Sequence, residues 1–133
     1  MENFLLQREL TISCSRTERG KHMQLGIRLH DIKKAPLEER LAIAKEQGFL
    51  CGHLALSKVI TEYPVDDGAL TPGYAMYLKK IFAKNDLDIA VLGCYLNLAN
   101  PDEGQLAKIT HRYLAHIRFA SLLGVGVVGT ETG

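Results

Sequence analysis

Four residues with side chains able to do chemistry sit at or near the ends of short apolar runs: His30 in LGIRLH, His53 in FLCGHLAL, Asn97 in DIAVLGCYLNL and Glu131 in VGVVGTE. Imidazole, amide and carboxylate groups can hydrogen-bond hydroxyls or move protons, so all four are candidates for binding a polar small molecule. Each also has a plain structural reading. His30 can be a hydrogen-bonded histidine, and His53, between Gly52 and Leu54, reads better as a satisfied core histidine. Asn97 can cap the following loop as well as orient a hydroxyl. Glu131 is a terminal residue open to fraying, yet its position after VVGT makes it the first candidate for mutation.

Other constellations carry less. Gly124, Gly126 and Gly129 spell G-x-G-x-x-G, but they follow a helical segment and run through a strand, whereas the dinucleotide fingerprint needs a strand before it and a helix after it. Their expected roles are a helix cap at Gly124 and close packing at Gly126 and Gly129. His111 and His116 are five apart, about 140° around a helix, so they cannot chelate as an i, i+4 pair would, and both read as outer-helix residues. Asp66 and Asp67 read as a solvated turn, with a place at a pocket edge as the alternative. Cys14, Cys51 and Cys94 lack zinc spacing and read as reduced thiols.

The elements that must position these residues alternate strand and helix. Leu25 to His30 has period two, with Leu25, Ile27 and Leu29 on one face and Arg28 and His30 on the other, directed inward. Pro36, two glutamates and Gly48 bound a helix with Leu37, Leu41 and Ala44 as its buried stripe. Phe49 to Leu56 follows as a strand parallel to the first, then a loop from Ser57 to Leu70. Thr71 and Pro72 open a helix carrying Tyr74, Leu78, Ile81 and Phe82, and Asp88 to Leu98 is the third strand. Asn100 and Glu103 form a capping-box-like start to a helix reaching Leu123, its buried face Leu106, Ile109, Tyr113, Ile117 and Ala120. VGVVGTE is the fourth strand. The fold class is α/β: the first four strand-helix units of a (β/α)8 TIM barrel, truncated after the fourth strand.

Composition fits one soluble domain: 133 residues, 47% hydrophobic, 23% charged and a net charge of +1 without a basic run. It gives no footprint of nucleic acid or membrane, no signal peptide and no spanning segment, so a cytoplasmic location is expected. Residues 1–22 lack the regular pattern that starts at Met23. They read as an N-terminal extension upstream of a natural start, or as an arm packing on the domain of residues 23–133.

LGIRLHD, GHLAL, LGCYLNLANPD, HRYLAHIRFASLLG and VVGTETG together resemble the sugar phosphate isomerase/epimerase family, which shares the xylose-isomerase-like TIM barrel with the apurinic-site endonucleases. The likeness spans about Met23 to Gly133, the N-terminal half of such a barrel. It implies an enzyme that interconverts aldoses and ketoses, or epimerises ketoses, by moving a proton beside the carbonyl. It also implies a divalent metal, often manganese, held by Glu, Asp and His near the ends of the later strands. That ligand set has no counterpart here, so no metal and no turnover are expected of this chain alone. The endonuclease branch would bring histidines to the ends of the third and fourth strands, where this sequence reads LGCYLNL and VGTETG; that disfavours a nucleic-acid substrate. Expected partners are a carbohydrate and, through open barrel edges, a second copy. The alternative to the enzyme fragment is a non-catalytic half-barrel that self-associates or pairs with a separate C-terminal half. A third reading, a doubly wound binding domain, lacks a phosphate loop after the first strand.

Overall fold

In the computed structural model residues 23–131 are described, with no side-chain description for Glu131. The extension or arm expected at residues 1–22, and Cys14 within it, lie outside the described residues. Four parallel strands lie in sequence order, β1 (Gly26–Arg28), β2 (Cys51–Ala55), β3 (Asp88–Asn97) and β4 (Val128–Glu131). The helices between them are α1 (Leu37–Glu46), the single turn α2 (Leu56–Val59), α3 (Pro72–Lys84) and α4 (Glu103–Leu123). The α/β alternation expected from the sequence is therefore present.

Local signals explain most boundaries. Pro36 stands at the N-cap of α1, and Gly48 beyond its end adopts φ +86°, a left-handed conformation that glycine enters without a Cβ clash. Thr71 caps α3 by accepting a hydrogen bond from the Tyr74 amide at 3.2 Å, and Pro72 follows where no amide is needed. Gly124 ends α4 at φ +72°.

One core lies between sheet and helices. Leu29, Leu54 and Leu92 from the strand segments meet Leu41, Leu78, Phe82 and Phe119, each at most 2% exposed. Full burial of a side chain of this size contributes about 1.5–3 kcal/mol, so this layer is the main source of stability.

Several expectations are corrected. β1 is shorter than Leu25–His30: after Arg28 the chain turns into a 3₁₀ turn, Leu29–Asp31, so the alternation ends and Leu25 is 68% exposed. Arg28 is exposed and pairs with Asp31 at 2.8 Å. The loop after β2 begins with the helical turn α2 and contains a second 3₁₀ turn, Asp67–Ala69. The cap of α4 is Asp102, which accepts from the Gln105 amide at 2.7 Å, while Asn100 holds the preceding turn through the Asp102 amide at 2.9 Å. Asp102 wins because it immediately precedes the first helical residue.

The buried stripe of α4 is Tyr113, His116, Phe119, Ala120 and Leu123, not one through Ile117, which is 54% exposed. This helix has apolar residues on more than one side, so periodicity alone does not select the buried one. His116 is thus a buried residue and not an outer one, its Nδ1 2.9 Å from the Arg112 carbonyl. β4 starts at Val128, three residues later than expected, and a Cβ on Gly126 would meet nothing within 4 Å, so Gly126 serves no close approach.

Candidate functional site

Because strand side chains alternate between faces, the register that sends Leu54 and Leu92 into the helical core sends His53, Gly93 and Tyr95 to the opposite face of the sheet. An irregularity between Gly52 and His53 adds one residue to β3, setting His53 beside Val91 and Ala55 beside Gly93. On this face three rings converge at the C-terminal ends of the first three strands. His53 stacks on Tyr95 with centroids 5.5 Å apart, and the Tyr95 hydroxyl lies 3.0 Å from His53 Nε2. His30, in the turn after β1, meets both edge-on, at 5.7 Å from His53 and 5.8 Å from Tyr95.

Glycines make the room. A Cβ on Gly93 would fall 2.5 Å from His53 Nε2, and one on Gly129 would fall 3.2 Å from Val91 Cγ1 and 3.7 Å from His53 Cε1. The expected close approach at Gly129 is therefore present. Lys58, from α2, places its ammonium 3.9 Å from the Tyr95 ring centroid, an attractive cation–π arrangement.

Electrostatics keep both imidazoles neutral near pH 7. Burial lowers the pKa of His30, reinforced by Lys58, Arg28 and Arg40 and opposed by Asp31. Burial also lowers that of His53, with His30, Arg28 and Lys58 adding to it. A neutral imidazole offers one donor and one acceptor, and the phenol of Tyr95 both gives and accepts, so the cluster can engage hydroxyl and carbonyl groups or accept a proton. His30 Nδ1 is enclosed without a hydrogen-bond partner. His53 is hydrogen-bonded, as a satisfied histidine would be, but it lies on the face away from the core.

Asn97 shares the face of Gly93 and Tyr95 by strand alternation, and its Oδ1 accepts from the Ala99 amide at 2.8 Å. The backbone of Glu131 pairs in register with Asn97. The sequence thus leads to His30 and His53, which the fold brings together, but it misses Tyr95 and Lys58. Tyr95 was findable, since it stands two residues from both Gly93 and Asn97 on a period-two strand.

The remaining acidic and histidine candidates are structural. Asp66 caps the 3₁₀ turn through the Ala69 amide, and Asp67 binds the Arg112 guanidinium, which also donates to the Val65 carbonyl. His111 lies 3.6 Å from Asp67. Together these groups pin the loop after β2 onto α4. Among the described residues, no three His, Cys, Asp or Glu side chains are grouped to hold a metal ion. The donor set here does not fit the divalent metal that the family resemblance implies. Among the described residues no helix is long and apolar enough to cross a membrane.

No family model matches the chain, and no curated protein does. Among solved structures it is similar to an AP endonuclease, family 2, from Brucella melitensis, with a TM-score of 0.51 and 14% identity over 84% of this chain. The match spans 42% of the length of that structure. At this identity the likeness concerns the fold. The chain has the fold of part of a TIM barrel, four parallel strands alternating with helices.

Proposed function

We propose that this chain is one wall of a carbohydrate-binding barrel mouth, with His30, His53, Tyr95 and Asn97 facing the sugar. The observation that carries this reading is the convergence of three rings at the C-terminal strand ends, where barrel chemistry is built, on a face that Gly93 and Gly129 keep clear. Aromatic faces with polar tips suit a sugar, which presents C–H groups on one side and hydroxyls around its rim. In a complete barrel the reaction we infer is aldose–ketose isomerisation or epimerisation, a proton transfer beside a carbonyl. Neutral His53 is placed to hold or pass a proton through Tyr95, and Asn97 and Glu131 extend the wall towards β4. A divalent metal would supply carbonyl polarisation in such an enzyme, from ligands other than those described. A cytoplasmic setting belongs to the same reading.

Saturation-transfer NMR from the chain to pentoses and hexoses tests the proposal. Transfer that saturates with sugar and disappears in His53→Ala, but persists in the remote Lys79→Ala, is the expected result. Identical transfer in all three proteins would end the reading.

One observation favours a second reading, in which the half-barrel acts by association. Within the described sheet β1 and β4 each have a single neighbour, so each leaves one edge of backbone donors and acceptors unpaired. A second copy or a separate C-terminal half would pair these edges. Light scattering decides it: a concentration-independent monomer would argue against association.

A further inference from the structure

The helical side of the molecule, across the core from the sheet face, carries three tyrosines in one group. Tyr74 stands in the first turn of α3 and Tyr77 nearly one turn later, while Tyr63 comes from the loop after β2. Tyr74 and Tyr77 stack with centroids 6.2 Å apart and 19° between their planes. Tyr63 meets Tyr74 edge-on at 6.1 Å and 81°, and the two hydroxyls lie 3.0 Å apart. We propose that this group is a docking surface for a basic segment of a partner protein, which lays an arginine guanidinium on Tyr63 and Tyr77 beside Glu38 and Glu62.

Packing accounts for only one of the three rings. Tyr74 is half-buried, its ring stacked on Phe119 of the core at 5.8 Å and 14°. Tyr63 and Tyr77 lie outside that core and are 42% and 43% exposed. Their hydroxyls are already engaged, Tyr63 with Tyr74 and Tyr77 donating to Glu38 Oε1 at 3.3 Å. What they present to solvent is ring surface, whose negative face attracts cations.

Charge complementarity names the occupant. Glu62 accepts from the amides of Leu37 at 3.1 Å and Thr61 at 2.8 Å, which brings its carboxylate to the start of α1, where Glu38 also stands. Against burial, which raises it, these amide bonds and Arg40 hold the Glu62 pKa low, so the group is ionised at neutral pH. Burial also raises the pKa values of Tyr74 and Tyr77, and the neighbouring phenols, Glu62 and Glu38 add to it. Neither Glu38 nor Glu62 has an ion-pair partner among the described residues, and no Lys or Arg there stands over the three rings. Arg40 is buried and donates to the carbonyls of Ala35, Leu29 and Ile32, so it does not cover them. Lys80 and Lys84, three and seven residues after Tyr77, continue its flank of α3 and end the acidic surface on that side.

Arginine suits this surface better than lysine. A guanidinium is planar and weakly hydrated, so it stacks on a ring while its N–H edge donates to a carboxylate, whereas an ammonium is a compact, strongly hydrated charge. A protein segment suits it better than a free cation. The concavity at Lys79 and Leu123 and the one at Lys34 and Thr61 both leave these tyrosines out, so the rings form an open surface. A small ion there stays largely hydrated, while a segment also covers the ring edges and excludes water, the setting in which Tyr and Arg carry binding energy. The surface is independent of the sugar reading, because the whole core separates it from His53 and Tyr95.

The test follows the ring signals of Tyr63 and Tyr77 by NMR in the full chain, at low ionic strength, during titration with the end-blocked peptide Gly-Ser-Leu-Arg-Leu-Ser-Gly. Saturable shifts of both rings are expected, with His53 and Tyr95 unmoved. Citrulline in place of the arginine keeps the shape and removes the charge, and should weaken binding by about fivefold or more; lysine should weaken it at least about twofold. Glu38→Gln and Tyr77→Leu, both at exposed positions, should each weaken binding at least about twofold. Glu46→Gln, the same charge change at the far end of α1, should leave it unchanged. Circular dichroism establishes that the variants are folded. No saturable shift, equal binding of the citrulline peptide, or equal affinity in the Glu38→Gln and Glu46→Gln chains overturns the surface. Lysine binding as tightly as arginine overturns the guanidinium assignment, and methylguanidinium binding as tightly as the peptide overturns the assignment to a protein segment.

Discussion

Replacing Gly93 by alanine places a methyl group where the His53 ring now lies. The added Cβ would sit 2.5 Å from Nε2, about 0.9 Å inside the 3.4 Å at which ordinary contact begins, and 3.0 Å from Tyr95 Cε2 and 3.1 Å from Ala55 Cβ. His53 cannot simply retreat, because Tyr95 stacks on it and Gly129 lies so near that a Cβ added there would come within 3.7 Å of the ring. The ring must swing out and give up its 3.0 Å contact with the Tyr95 hydroxyl. Overpacking costs about 1–3 kcal/mol and the lost hydrogen bond about 1 kcal/mol, so Gly93→Ala is expected to destabilise by about 2–4 kcal/mol. In a His53→Ala background the closest contact vanishes and only the 3.0 and 3.1 Å contacts remain. The same substitution should then cost about 1–2 kcal/mol less. Urea unfolding of the two single variants and the double variant measures this coupling directly. Equal costs in both backgrounds, within about 0.5 kcal/mol, would refute the claim that Gly93 exists to seat His53.

Tyr113→Phe removes a hydroxyl that meets the Cys94 and Leu96 carbonyls and Thr130, tying α4 to β3 and β4, and should cost about 1–3 kcal/mol, with faster amide exchange at Leu96 as its local mark. Arg112→Met frees Asp67 and the Val65 carbonyl, so exchange over residues 65–70 should accelerate while β2 and β3 stay protected. Burial lowers the pKa of His116. The unfolded chain therefore binds more protons between that lowered value and about 6.5, and stability should fall as pH drops through this window. For one residue the slope has an upper limit of about 1.4 kcal/mol per pH unit, and His116→Leu should flatten it in urea titrations across pH.

Where punctuation and period agreed, the chain could be read directly. Pro36 with Gly48, Thr71 with Pro72, and Gly124 bound helices as expected, because proline, glycine and a capping hydroxyl act through local geometry that no tertiary contact has to supply. Choices decided by packing were harder. The stripe of α4 depended on which of its apolar sides met the sheet, so Ile117 and His116 exchanged their expected roles. Arg40 shares a helical stripe with Leu37, Leu41 and Ala44, so the period places it inward, but its burial makes sense only once the turn after β1 offers three carbonyls. Lys58 lay in a stretch with loop composition, and nothing local aims it at Tyr95 forty residues or so later. His30 and His53 were visible as residues, while their meeting depends on the parallel pairing of β1 with β2.

The binding face at the C-terminal strand ends is the central claim, and shift mapping of the isotope-labelled chain against an aldose and its ketose tests it most directly. Expected are saturable shifts of the His30 and His53 rings and of the Asn97 amide, with the far-end concavity around Lys79, Asp86 and Leu123 unmoved. Saturable shifts confined to that far end, or none in the three rings up to the solubility of the sugars, would contradict it.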